Sequence, residues 1–339
     1  MERVIAIVGT GAMGTLCAKL LAEKAHDVRM YSIFSERAED IRRTRRNRHL
    51  PEWRIDERVE VTSSEAVLFQ DVSLVLQAVP TQLVRQWWAP LKLHCPRWLP
   101  ICSLAKGVEN GTLLRPSQII RDLLDGSPES DRPTAALSGP CIAPEVARGL
   151  PTTVTIASRS LDFAMRLQQL LNSPHFRVYT NTDIVGTELA GAAKNVVAIA
   201  AGILDGLGSG NNAKAALVGR GLAEITRLGV AMGGMAETFA GLAGAGDLVA
   251  TCFSPVGRNR SFGQAVGEGS TPSEAQARLA PAVVEGIASC ASLLALAEKC
   301  NVEMPITCAV HDVLRNAGSP ARAIADLMNR SLKEELGAS

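Results

Sequence analysis

The chain is 339 residues long and carries 35 Lys+Arg against 34 Asp+Glu, a formal net charge of +1. At roughly 100–200 residues per domain this length accommodates two domains, and 47% hydrophobic with 20% charged residues excludes intrinsic disorder. Balanced charge and 4% aromatic residues argue against a nucleic-acid partner and against base-stacking platforms. The eight cysteines form no CxxC pair and have no His at metal-ligand spacing, so free thiols in a reducing compartment and no metal site are expected. No secretory signal pattern and no uninterrupted apolar run of ~18 residues are present. A cytoplasmic chain without a membrane span is expected.

The first expected element is a buried parallel strand over residues 3–8, a β-branched apolar run. Gly9-Thr10-Gly11-Ala12-Met13-Gly14 follows, opening a helix over 15–24 that leads to a second strand over 28–34. A G-x-G-x-x-G between strand and helix is the context in which the motif signals a dinucleotide. Its glycines serve a tight turn, close approach to a diphosphate and helix–strand packing, while the helix N-terminus faces the anion. After the second strand, Glu36 favours NAD, whereas Ser35, Arg37 and the run Arg42, Arg43, Arg45, Arg46, Arg48 favour NADP. The run also reads as a solvated helix face, and both readings stay open.

Further strands are expected over 73–79, 99–104, 134–137, 151–157 and 176–179, separated by helix-like segments. That alternation implies a parallel sheet with helices on both faces. From about Asp183 strand signals vanish and helices are expected over 184–204, 213–232, 238–251, 273–280, 286–299 and 307–315. The expected architecture is α/β: a Rossmann-type doubly wound parallel sheet in residues 1–183, then an all-helical domain in 184–339 with a frayed tail at 333–336.

Several polar residues stand out in apolar surroundings. Thr187, Gly191 and Lys194 share a helix face at offsets of three and four. An inward-facing Lys194 would be desolvated and its pKa lowered toward neutrality, which suits a general acid/base; a lysine snorkelling to solvent is the alternative. Asp247 and Thr251 stack one turn apart, with Asp247 either an N-cap or a functional carboxylate. Beyond Pro255, Arg258 and Asn259 lie in an expected turn where they could grip a phosphate, if the turn is not merely solvated. Lys106 and Gly139 follow strand carboxyl ends, where ligands of such sheets bind.

Taken together, segments 103–109, 138–151, 188–228 and 237–263, with Val284-Glu285-Gly286 and Glu303-Met304-Pro305-Ile306, resemble the cytoplasmic, bacterial-type NAD(P)-dependent glycerol-3-phosphate dehydrogenases. The resemblance covers nearly the whole chain. It implies reversible hydride transfer between NAD or NADP and a three-carbon phosphate, giving sn-glycerol 3-phosphate for phospholipid synthesis, and it implies a homodimer. It makes Lys194 the acid/base, supported by Asp247 with Thr251 nearby. Lys106 and Asn195 would orient and polarise the substrate, Arg258 and Asn259 would hold its phosphate, and Gly139 would line the cleft. Against the cofactor it sets Gly9, Gly11, Ala12, Met13 and Gly14 of the loop, with Phe34, Lys106, Ala143, Arg258, Val283 and Glu285. Three positions depart from the family pattern: Met13 replaces an aromatic, Gly257 a Ser, and Cys141-Ile142 a Ser/Thr-Phe pair. These departures leave room for another phosphorylated keto compound as substrate. A non-catalytic dinucleotide sensor is the rival from a different class.

Overall fold

The computed structural model describes residues 4–280, 282–315 and 318–331. The expected start of the first strand at Arg3 and the tail at 333–336 lie outside them. The first part of the chain runs β1 (Val4–Val8), α1 (Ala12–Glu23), β2 (Val28–Tyr31), α2 (Ser35–Thr44), β3 (Arg46–Asn47), β4 (Leu50–Arg54), β5 (Val59–Thr62), α3 (Glu65–Leu68), β6 (Val72–Gln77), α4 (Val84–Trp88), β7 (Ile101–Ser103), α5 (Pro116–Asp125), β8 (Thr134–Ser138), α6 (Ala143–Ala147), β9 (Thr152–Ser158), α7 (Leu161–Leu171) and β10 (Phe176–Asn181). Eight strands form one sheet in the order β10-β9-β8-β7-β6-β1-β2-β5, while β3 and β4 make a separate hairpin. The period-two alternation of β1 divides two cores. Ile5 and Ile7 pack with Leu16, Leu20 and Leu21 of α1 on one face, and Ala6 and Val8 pack with Trp88 and Ile120 on the other. Strand order reverses between β1 and β6, which puts the glycine loop at the switch point of the sheet.

The sheet is not parallel throughout. β8 pairs with β9 antiparallel, and β10 follows β9 in parallel. Between β8 and β9 lies only the five-residue α6, so the chain doubles back where a longer crossover would have returned it for a parallel pairing. The hairpin β3–β4 and strand β5 also lie outside the expected set.

After Asn181 the chain is helical: α8 (Ile184–Gly206), α9 (Gly210–Ala231), α10 (Ala236–Ala240), α11 (Asp247–Phe253), α12 (Arg258–Gly267), α13 (Pro272–Leu279), α14 (Glu285–Cys300), α15 (Pro305–Leu314) and α16 (Pro320–Met328). Asp183 caps α8, its side chain accepting from Gly186 N at 2.8 Å. α8 is the one helix among the described residues long and apolar enough to cross a membrane, yet it is the buried centre of the helical core, packed by α9, α11, α12 and α14. Glycines admit these close crossings: a Cβ on Gly202 would fall 2.0 Å from Arg260 O, and one on Gly263 2.0 Å from Ile199 O.

The helix expected over 238–251 is interrupted. α10 ends at Ala240, a π-type turn spans Leu242–Gly246, and α11 continues directly from it. The turn expected around Arg258 and Asn259 is instead the first turn of α12, with Gly257 as its N-cap. All eight cysteines are free; Cys17, Cys102, Cys252 and Cys290 are buried, whereas Cys308 is exposed.

Candidate active site

At the nucleotide loop, the three glycines answer to different neighbours. Gly9 has φ +112° and a Cβ there would press on the backbone of Ala78 at 3.1 Å; one on Gly14 would fall 2.2 Å from Gly9 O. At Gly11 a Cβ would meet no protein atom within 4 Å, and its φ of −75° suits any residue. Nothing within 4 Å of that position therefore demands glycine at 11, and it leaves open space beside the backbone. Helix α1 begins there with no side-chain cap and no acidic residue in its first turn, so its leading amides and dipole suit a diphosphate. These residues fit a dinucleotide. Asn47 of β3, which no sequence signal marked, braces the loop by donating to Thr10 O at 3.0 Å and Thr15 Oγ1 at 2.8 Å.

Ala12 and Met13 form the first turn of α1. The Met13 sulfur lies 3.8 Å from Cys141 Sγ, so two departures from the family pattern touch each other. Phe34 is the N-cap of α2, 57% exposed, and meets Trp87 edge-on at 5.8 Å. Ala143 is buried at the start of α6. Val283 is half-exposed ahead of α14, and Glu285 is the first residue of that helix. Burial raises the Glu285 pKa against the pull of Arg258, Lys106 and Lys194.

The arginine run divides by use. Arg42 and Arg43 pair with Glu39 and Asp40. Arg45 and Arg46 donate to backbone carbonyls, including Val59 O and Pro51 O. Arg37 and Arg48 have no ion-pair partner among the described residues. Burial lowers the pKa of His49, and Arg37, Arg48 and Arg258 lower it further.

At the centre lies Asp247, 2% exposed. The backbone of α11 continues upstream through the π-type turn, and its carboxylate caps no helix. One oxygen accepts from Lys194 Nζ on α8 and the other from Lys106 Nζ, each at 2.5 Å. Lys106 also donates to Gly139 O at 3.2 Å, the Gly139 φ of +118° setting that turn after β8. Lys194 donates to Thr251 Oγ1 at 2.7 Å, and Thr251 in turn donates to Asp247 O at 2.6 Å. The stacking of Asp247 and Thr251 thus serves to hold one lysine. Gly191 makes room beside it: a Cβ there would lie 3.1 Å from Ser138 Oγ and 3.4 Å from Lys106 Cγ.

Burial lowers the Lys194 pKa; Asp247 opposes the shift, Lys106 reinforces it, and the result is about 8. For Lys106 burial acts the same way, but Asp247 outweighs it and the pKa is raised. Burial also works against the Asp247 charge, and the two lysines overcome it, holding the carboxyl below its usual range. One lysine is thus held charged and the other poised to exchange a proton near neutrality.

Asn195, beside Lys194, accepts from Asn259 Nδ2 at 2.9 Å, and Asn259 Oδ1 accepts from Gly286 N at 2.9 Å. Asn195 Nδ2 is buried without a partner. Asn259 is therefore largely committed to tying α8, α12 and α14 together. Arg258 stands exposed at the start of α12, a helix with neither a side-chain cap nor an acidic residue in its first turn. The structure thus gathers Lys106, Lys194, Asp247, Thr251 and Gly139, with Asn195 tied to Asn259 beside a second anion-compatible helix N-terminus at Arg258.

Residues 4–164 match the family profile of the NAD-dependent glycerol-3-phosphate dehydrogenase N-terminus, and residues 183–325 match that of its C-terminus. Among curated relatives, glycerol-3-phosphate dehydrogenase [NAD(P)+] from Geobacter sp. (strain M21) is 45% identical over 336 residues, 99% of each chain. The enzyme of the same name from Corynebacterium glutamicum (strain R) is 42% identical over 332 residues, 98% of this chain and 99% of that one. Among solved structures, glycerol-3-phosphate dehydrogenase from Coxiella burnetii superposes with a TM-score of 0.91 at 37% identity, covering 97% of this chain and 99% of its own.

Proposed function

The chain belongs to the NAD-dependent glycerol-3-phosphate dehydrogenase family, and on that premise we propose how its residues interconvert dihydroxyacetone phosphate and sn-glycerol 3-phosphate. NAD or NADP, when bound, supplies the hydride acceptor or donor. Gly9, Gly11, Ala12, Met13 and Gly14 would hold its diphosphate, with Phe34, Ala143, Val283 and Glu285 along the rest.

The observation that carries the reading is the Lys106–Asp247–Lys194 arrangement. In the reductive direction Lys194, as ammonium, gives its proton to the developing C2 alkoxide; in the oxidative direction the neutral amine removes the hydroxyl proton. Lys106, held charged by Asp247, orients the substrate with Gly139 and stabilises the oxyanion. Asp247 and Thr251 fix the Lys194 amine, and the free Asn195 Nδ2 donates to substrate oxygen. Arg258 and the α12 N-terminus take the phosphate, and Asn259 contributes its second amide hydrogen. That remote grip supplies binding energy which orients the carbonyl.

The reading divides the chain at 183/184, supported by the passage from β10 to α8. It takes the enzyme as a cytoplasmic homodimer that supplies glycerophospholipid synthesis, for which the family likeness is the support. Lys194→Ala is expected to lower turnover by about 10²–10⁴-fold while titration of NADH fluorescence still shows binding. Near-normal turnover would remove Lys194 from the proton transfer. A panel of phosphorylated keto compounds, with both cofactors, tests the substrate.

A further inference from the structure

Glu188 lies on α8 six residues before Lys194 and has no part in the chemistry described above. Its side chain is 1% exposed, and its carboxylate accepts from Arg115 Nη1 at 2.5 Å. It also accepts from the backbone N–H and the hydroxyl of Ser117, each at 2.7 Å. Arg115 is the N-cap of α5 and Ser117 lies in its first turn, so an anion here also meets the positive end of a helix. The other titratable neighbours are Arg121 of α5, whose Nε and Nη2 are buried without partners, and the protonated Cys102 of β7.

Resting on the reading above, Lys194 and Asp247 come from helices of one core, whereas Lys106 comes from the sheet. It sits on the segment joining β7 to α5. That segment is tied across the boundary by two sets of polar contacts, at Lys106 by Asp247 and at Arg115–Ser117 by Glu188, and between them Val108 is buried in the helical core with Leu113 packed against it. Between Glu188 and Lys194 on α8 lies Gly191, whose missing Cβ makes room for the Lys106 stem. Residues 189–193 of α8 are Leu, Ala, Gly, Ala and Ala, so no polar side chain between Glu188 and Lys194 can hold the segment in register. A buried ion pair tolerates no slip and is well suited to fixing register.

We propose that Glu188 is a positioning residue for the reaction: its buried ion pair with Arg115 fixes the Lys106 segment against α8, and so sets where Lys106 sits relative to Asp247 and Lys194. Glu188→Gln keeps the size of the side chain but leaves Arg115 without a counter-charge. The KM for dihydroxyacetone phosphate is expected to rise about tenfold as Lys106 loses its place. The pH midpoint of Lys194 is expected to move above its value of about 8. Lys106 no longer presses on it, and Asp247 is left to Lys194 alone. Loss of the Glu188 charge by itself would move a lysine the other way, so the upward direction is diagnostic. The remaining groups facing Lys194, namely Cys141, Cys252 and Glu285, are unchanged in the variant.

Two readouts report the midpoint: the pH dependence of kcat, and competitive acetylation of Lys194 against pH in cofactor-free protein. Ser117→Ala, which removes one donor of three, should shift both in the same direction by less, and it carries the test if Glu188→Gln does not fold. Should the variants lower Tm but leave KM and the midpoint at wild-type values, Glu188 is structural only and the proposal fails. If wild-type Lys194 itself titrates as an ordinary lysine, the acid/base reading fails instead.

Discussion

Raising the pH through the Lys194 midpoint should switch off carbonyl reduction and switch on alcohol oxidation. Burial disfavours the ammonium, Asp247 favours it, Lys106 disfavours it, and the balance lies at about 8. At that midpoint the amine is about 90% charged at pH 7 and about 10% at pH 9. Reduction consumes the charged form, so its kcat should fall about tenfold between those two pH values, with oxidation rising in mirror image. A lysine at the ordinary value of about 10.4 would still be about 96% charged at pH 9, and reduction would be almost flat. Initial rates are to be measured at saturating substrate and cofactor in both directions, in buffers of constant ionic strength. A reduction kcat unchanged to pH 9.5, or the same profile in both directions, would refute the assignment of the proton to Lys194.

Arg258→Ala should raise KM for dihydroxyacetone phosphate by about 10²-fold, the loss of a charge-assisted contact, while narrowing its preference over dihydroxyacetone. An unchanged preference puts the phosphate elsewhere. Gly191→Ala should lower kcat about tenfold with little change in Tm, because the new methyl meets Ser138 Oγ at 3.1 Å and the Lys106 stem at 3.4 Å; full activity would mean Lys106 is not tightly placed. Arg37, without an ion-pair partner among the described residues, is expected to serve the 2′-phosphate of NADP. Arg37→Ala should weaken NADPH more than NADH in direct binding, and an equal effect on both would assign the charge to another task.

Local chemistry made parts of this molecule readable from the chain alone. The apolar small-residue run at 184–204 yields α8 within two residues of its observed end, and the glycine loop lies where a strand meets a helix. Helical offsets alone also place Thr251 one turn beyond Asp247. What the sequence hid depends on partners far away. Nothing local distinguishes Asp247 as an N-cap from Asp247 as the anchor of two lysines, because Lys106 lies 141 residues off. The Glu188 pair spans 73 residues. Pro255 and Gly257 look like a turn, which masks that the glycine caps a helix beginning at Arg258. Asn47 stands in a charge-rich stretch whose hairpin has little apolar alternation. Strand direction was invisible for a different reason, since the apolar run of β9 reads alike whichever way it is paired.

That reversal of β9 and β10 determines the route of the chain. Asn181 pairs with Ala157, and Ala157 with Ala136, so the polypeptide leaves the sheet below the rim that ends at Ser138. Ile184 packs beside Ala136 and Ala157 at that lower level. The next segment must climb, and α8 does so at 1.5 Å per residue: Gly191, beside Ser138, comes after about 10 Å of helix, and Lys194 lies about 5 Å beyond it. Lys194 therefore arrives mid-helix on a rigid rod instead of on a loop. A single residue inserted between Asp183 and Lys194 would turn the lysine by about 100° away from its carboxylate, so the length of that climb is as constrained as the identity of the residue at its end.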